Sequence, residues 1–179
     1  MDGGWVRWGD GASGGNAVAG QGAEVTALGG LVLAPEPFDR FLLEEELFQT
    51  FAEQVGKTWD DVLALNWPVA GSMAGRGELF VVAARTAERR MVGYSVVILG
   101  ADLMADRMVA SLIAVFALPE WPGLGLRLAR AAAQEARGRG ASALWLFKTR
   151  DTIYSWRLDT LARRLGGVEV STTYEVPLT

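Results

Sequence analysis

Phe41, Phe48, Phe51, Ala52 and Val55 recur at helical spacing, which predicts a helix over about 38–55. Glu44, Glu45 and Glu46 fall near its middle and read as a solvated face, and Gly56 is a natural stop. Thr58 is placed to cap a short following helix, with Asp60 and Asp61 where its dipole favours negative charge. Upstream, EVTALGGLVLA (24–34) suits a short strand, punctuated by Pro35 and Pro37. From residue 78 the pattern changes. ELFVVAAR (78–85) and MVGYSVVIL (91–99) read as strands joined by a charged TAERR turn, hence an antiparallel hairpin. RMVASLIAVFAL (107–118) is a third, longer strand. An alanine-rich helix from about Leu124 to Arg137 ends at Gly138 and Gly140. ALWLFK (143–148) is another strand, and Ile153, Trp156, Leu161 and Leu165 predict a helix over 152–165. VEVSTTYEVP (168–177) closes as a strand. The order β-β-β-α-β-α-β from residue 78 specifies an α/β (α+β) domain with a mixed central sheet flanked by helices.

Residues 1–22 show no period and hold eight glycines, so they form an extended Gly-rich N-terminal arm rather than a packed element. Trp5 and Trp8 interrupt it, as anchors to another protein chain would. The chain thus divides into the arm (1–22), an N-terminal helical part (23–77) and an α/β core (78–179).

Composition narrows the chemistry. The 179 residues include no cysteine and no histidine, which removes disulfides, thiolate nucleophiles, Ser-His and Cys-His pairs and most metal sites. Net charge is −4, unevenly placed. Residues 1–78 carry 12 acids and 4 bases, whereas 79–179 carry 9 acids and 13 bases. The acidic half argues against general nucleic-acid binding. The basic half can attract a phosphorylated cofactor or contact the acidic half. No apolar run is long enough for a membrane span, and MDGGWVRWGD has neither a basic n-region nor an apolar h-region, so no secretory signal is expected.

The most informative stretch is the third long strand running into PEWPGLGLRLARAAAQEARGRG. A strand, a glycine turn and a helix N-terminus together make an anion site, because free N–H groups and the helix dipole face the ligand. No Gly-Lys-Ser/Thr follows, so it is not a P-loop, and Leu128 stands where a dinucleotide fingerprint needs its third glycine.

In this stretch the chain resembles the GNAT superfamily of acyl-CoA-dependent N-acyltransferases. That family holds the CoA pyrophosphate on an Arg/Gln-x-x-Gly-x-Gly/Ala loop, matched by Glu120, Trp121, Pro122, Gly123, Leu124 and Gly125. The pairing of PE-aromatic-x-G-x-GLRL with a final ARRLGG-x-E segment is similar to acetyltransferase-like proteins of tailed bacteriophages. The resemblance spans 78–178 and implies acetyl-CoA or CoA bound on Gly123, Leu124, Gly125, Leu126 and Arg127, with no metal. It also implies a setting in the cytoplasm of a bacterial host or in a phage particle.

Three departures bear on activity. Glu120 or Pro122 stands where Arg or Gln is expected, so a carboxylate would face a pyrophosphate. Pro122 offers no N–H. The family's late-helix tyrosine is replaced in the register Ala162–Gly167, with Tyr154 two turns earlier. Glu78 and Glu175, on candidate strands, are the remaining acids that could serve catalysis beside Tyr154. Ser111 reads as packing, and Trp145, Phe147 and Trp156 as core. Arg130, Arg137 and Arg139 read as a solvated or interface face. The resulting expectation is a non-catalytic GNAT-fold structural component, in a phage virion, docked through its arm to other protein chains. The alternative is an acetyl-CoA-dependent N-acetyltransferase acting on an amine.

Overall fold

A computed structural model describes residues 26–28, 30–54, 66–147 and 155–169. Their elements, in chain order, are β1 (Thr26–Leu28), β2 (Leu31–Glu36), α1 (Phe38–Phe41), α2 (Glu45–Gln54), α3 (Trp67–Gly75), β3 (Leu79–Thr86), β4 (Met91–Asp102), β5 (Arg107–Ala117), α4 (Leu124–Gly138), β6 (Ala143–Leu146) and α5 (Ser155–Arg164). The strands form one sheet in the order β1-β2-β3-β4-β5-β6. Every pairing is antiparallel except β5 with β6, which is parallel. That one parallel pair follows from the crossover through α4, since parallel neighbours need a long connection. The mixed sheet flanked by helices is the architecture the periodicity predicts.

The sheet has two covered faces, which explains why β3 and β4 read as continuous apolar runs instead of alternating ones. Leu79 to Ala84 and Met91 to Val97 are all buried. On one face lies α4, whose Leu124, Leu128, Ala129, Ala132 and Ala136 are buried against β3, β4 and β5. The small alanines bring this helix close to the strands. On the opposite face α1, α2 and α3 cover β3 and β4 with an aromatic cluster. Tyr94 sits at its centre, with ring centroids of Phe41, Phe48 and Phe116 at 5.0, 5.9 and 5.6 Å. Burial pushes the Tyr94 phenol above its usual pKa, so it stays protonated.

Several expectations are corrected. The helix predicted over 38–55 breaks at Leu42–Glu44 into α1 and α2. Arg85 on β3 supplies the reason. Its guanidinium donates to Glu44 at 2.7 Å and to Glu36 at 3.0 and 3.2 Å, tying the junction to the sheet. Glu44 is therefore a tertiary anchor and not part of a solvated face. Strand β2 runs through Pro35 to Glu36 in register with β3. Pro35 lies beyond the part of β2 that β1 pairs, Leu31 to Leu33, at an edge where its missing N–H is tolerated. The 24–34 stretch holds two strands, turned by Gly30 at φ 79°. Helix α3 was not expected; Asn66 caps it, accepting from the Val69 N–H at 3.2 Å, and Pro68 follows in the first turn. The arm with Trp5 and Trp8, the helix expected after Thr58 and the final strand with Glu175 lie outside the described residues, as does Tyr154.

Candidate active site

Strand β5 carries the site. On one side it pairs with β4 over its full length, but the register shifts: Val96 pairs Ala114, while Val97 pairs Leu112. Ile113 is the extra residue, a β-bulge that bends and re-aims the strand. On the other side β5 pairs with β6 only from Val109 to Leu112. The ladder ends at the bulge. From Ile113 to Ala117 the outer edge of β5 has no strand partner among the described residues; residues 148–154, which follow Phe147, lie outside them.

Beyond the end of β5 the chain enters the 118–123 loop. The Trp121 N–H donates to the Leu118 carbonyl at 3.0 Å, and the Leu124 N–H to the Trp121 carbonyl at 3.2 Å. Trp121 also packs against the core, which fixes the loop. Gly123 takes φ 79° as the residue preceding α4, a left-handed conformation that glycine adopts without strain. The N–H groups of Gly123, Gly125 and Leu126 have no backbone acceptor among the described residues. A Cβ added at Gly123 or Gly125 would meet no atom within 4 Å, so the turn has room for a side chain at both positions. Three unbonded N–H groups at the positive end of a 15-residue helix suit a pyrophosphate. Leu124 is buried beneath them, and Arg127 sits one turn along, half-buried.

Two of the three departures from the family loop lose their force in this geometry. Glu120 lies 3.9 Å from Arg90, with its side chain 52 % exposed. Its charge is solvated and offset by a cation, not desolvated against a phosphate. Pro122 precedes the donors and removes none of the three. The third departure concerns a tyrosine whose candidate substitute, Tyr154, lies outside the described residues.

Glu78 is not brought to this site. It adjoins Leu99, whose N–H donates to the Glu78 carbonyl at 2.7 Å, and Leu99 pairs with Ala110 near the start of β5. The loop lies beyond the other end of β5, roughly 20 Å along the strand. Glu78 is held by Arg76 through contacts of 2.9 and 2.6 Å, and this hydrogen bonding holds its carboxyl below the usual range. It lines a shallow cleft with Arg76, Leu99, Met108 and Arg139. Arg139, expected on a solvated face, stacks 4.4 Å over the Phe80 ring and pairs with Glu135 at 2.8 Å. Ser111 is half-buried on β5 beside Trp145, its partner on β6. Trp145 and Phe147 were expected in the core; Trp145 is half-buried and Phe147 is 50 % exposed.

The bulge and Gly93 escaped the sequence reading. A bulge is a mismatch between two strands and leaves no mark on one of them alone. Gly93 looks like an interruption in a strand, a recognised sign of close backbone approach. The structure shows that approach: a Cβ there would lie 2.7 Å from the Phe116 carbonyl oxygen.

No family model matches the chain, and no curated protein matches it in sequence. Solved structures do match in fold. An aminoglycoside acetyltransferase from an uncultured soil metagenomic sample aligns with TM-score 0.65 at 16 % identity, over 83 % of this chain and 99 % of its own. The ribosomal-protein-alanine N-acetyltransferase from Brucella melitensis biovar Abortus 2308 aligns at 0.63 and 15 %, over 83 % and 99 %. A second metagenomic aminoglycoside acetyltransferase, solved with sisomicin, gives 0.61 and 14 %, over 83 % and 97 %. The chain has the GNAT fold. The expectation of a non-catalytic virion component is corrected: the structures that share this fold over nearly their full length are acetyltransferases, and the loop that departs from the family pattern keeps its donors.

Proposed function

We propose that this GNAT-fold chain is an acetyl-CoA-dependent N-acetyltransferase acting on a primary amine. One observation carries the reading: the bulge at Ile113 lies on the same strand that delivers the N–H groups of Gly123, Gly125 and Leu126, which have no backbone acceptor among the described residues. The N–H groups of the loop suit the pyrophosphate, with Arg127 alongside. The edge of β5 from Ile113 to Ala117, unpaired among the described residues, suits the amide groups of pantetheine, strand to extended chain. Bound there, the cofactor supplies an acetyl group activated as a thioester.

The chain's own residues position the reactants and provide a polar edge for charge that develops at the acetyl oxygen. β4 before Asp102, β5 and β6 carry no acid. The described part of the site therefore selects an amine that is already neutral and does not deprotonate one through a carboxylate. The ARRLGG-x-E and PE-aromatic-x-G-x-GLRL segments support a phage-type enzyme working in the cytoplasm of a bacterial host.

The test is thiol release from acetyl-CoA in the presence of a panel of primary amines. Release at a rate far above that without amine, lost on Gly125→Glu, is the expected result. Release no faster than the uncatalysed background with every amine refutes the proposal.

A further inference from the structure

Leu103 is 88 % exposed, Met104 98 % and Met108 44 %. All three belong to the turn between β4 and β5, and so many bare aliphatic side chains on one hairpin mark a contact surface. The surface continues into the cleft that holds Glu78. Gly93 faces α4, since a Cβ there would meet Leu128, so alternation along β4 puts Leu99 and Ala101 on the α4 face as well. Met108 pairs with Ala101 and shares that face. These three floor a cleft of about 540 Å³ bounded by Arg76 and Arg139, just past the C-terminal end of α4, and Leu103 joins Ala101 and Met108 in the adjoining hollow. The size is that of a ligand site, roughly 300–1,000 Å³.

The cations of the cleft are already satisfied. Arg76 donates to Glu78 at 2.9 and 2.6 Å, and Arg139 to Glu135 at 2.8 Å. The occupant that suits this surface is therefore aromatic and not anionic. Arg139 stacks 4.4 Å over the Phe80 ring, and methionine thioethers favour aromatic neighbours. The chain itself supplies such a group in Trp5 and Trp8.

Strand β1 shows from which side the chain arrives. Thr26 pairs Leu33, and Leu33 pairs Ala84; Leu28 pairs Leu31, and Leu31 pairs Thr86. β1 thus runs in the same direction as β3, and its first residue points back to the end of the sheet where the cleft lies. Three strand spacings, and the six residues from Gly93 to Leu99 along β4, separate Thr26 from the cleft floor, about 25 Å in all. Trp8 precedes Thr26 by 18 positions. A glycine-rich chain of that length has a root-mean-square span of about 24 Å, and such a match gives the highest effective concentration. The internal segments outside the described residues attach toward the other end. Phe51, ahead of 55–65, packs on Phe116 with centroids 5.5 Å apart. β6 runs parallel to β5, so Phe147 leaves it in the direction of the 118–123 loop.

We infer that residues 1–22 dock on their own chain, with Trp5 and Trp8 seated in the cleft between Arg76 and Arg139 and against the apolar turn of Leu103, Met104 and Met108. The 118–126 loop lies beyond the opposite end of β5, so docking leaves it clear and the inference does not depend on the transferase reading.

Arg7 is the sole lysine or arginine before Arg40, so trypsin has one site in the arm. The experiment follows cleavage after Arg7 in the native full-length chain by mass spectrometry, with a synthetic peptide of residues 1–22 as the unprotected reference. Expected is cleavage at least about tenfold slower in the chain than in the peptide, unchanged between about 1 and about 100 µM protein. Met108→Glu and Trp5→Ala each restore the rate to within about twofold of the matching peptide. The double variant goes no further than either, the non-additivity of a direct contact. Circular dichroism and the urea midpoint check that the variants are folded, and Leu103→Ser replaces Met108→Glu if that variant is not. Equal rates in chain and peptide overturn the inference, as does protection that survives the variants. Protection that rises with protein concentration overturns it too, and assigns the arm to the cleft of a second copy.

Discussion

Gly93→Ala sets a gain in chain entropy against a clash, and the distances decide between them. Gly93 pairs with Ala117 across β4 and β5. A Cβ at this position would lie 2.7 Å from the Phe116 carbonyl oxygen, 3.0 Å from Leu128 Cδ1 and 3.2 Å from Ala117 Cα. The Leu128 methyl can swing aside, but the other two atoms are backbone and move only with β5. Replacing a strand glycine by alanine would otherwise stabilise by about 0.5–1 kcal/mol, because the unfolded chain loses freedom. Overpacking of this kind costs about 1–3 kcal/mol, so a net loss of about 1–2 kcal/mol is expected. With a urea slope of about 2 kcal/mol/M, the unfolding midpoint drops by about 0.5–1 M. Displacement of β5 here is displacement of its loop end, since the Leu118 N–H donates to the Val92 carbonyl at 2.9 Å. Acetyl-CoA affinity should fall alongside stability. Equilibrium urea unfolding followed by tryptophan fluorescence reads the first effect and calorimetry the second. A midpoint equal to or above that of the wild type would refute the argument.

Arg85→Met removes the donor that joins Glu36, Glu44 and the Arg89 carbonyl, and leaves the nearly buried Glu36 with Arg40 alone. A loss of about 2–3 kcal/mol in urea unfolding is expected. Glu120→Gln leaves the acetyl-CoA dissociation constant within about twofold of wild type by calorimetry, because the carboxylate is solvated beside Arg90; marked tightening would mean that it faces the phosphates. With no acid on β4 before Asp102, on β5 or on β6, kcat/KM for the amine should climb about tenfold per pH unit until the acceptor's own pKa, and Glu78→Gln should give the same profile. The sign follows from the pair: Arg76 holds the Glu78 carboxyl below its usual range, so Glu78 is ionised throughout the assay and its titration lies on the acid side.

The core strands and α4 were legible because each carries a local signal: continuous apolar runs for strands buried on both faces, and alanine with flanking glycines for the helix. The turn into α4 was legible for the same reason, being a contiguous stretch of PEWPGLG. The missed features depend on pairs of distant residues. The break at Leu42–Glu44 follows from Arg85, 41 positions away from Glu44. The bulge at Ile113 exists only relative to β4. Glu120 looked repulsive because sequence reports its position in a motif and not its direction. Trp145 and Phe147 alternate as core residues would, yet Phe147 is half exposed, since that face of the sheet is covered over β3 and β4 by helices drawn from earlier in the chain.

The central claim is that the 118–126 loop holds the pyrophosphate of acetyl-CoA, and Gly125→Glu tests it most directly. A side chain at Gly125 meets no atom within 4 Å, and glutamate in the first turn of a helix raises its propensity and suits its dipole. The variant should therefore fold at least as stably as the wild type while placing a carboxylate over the donors. Calorimetric titration with acetyl-CoA should show micromolar binding to the wild type and none to the variant. Equal binding by both proteins, or none by the wild type at millimolar ligand, would contradict the account.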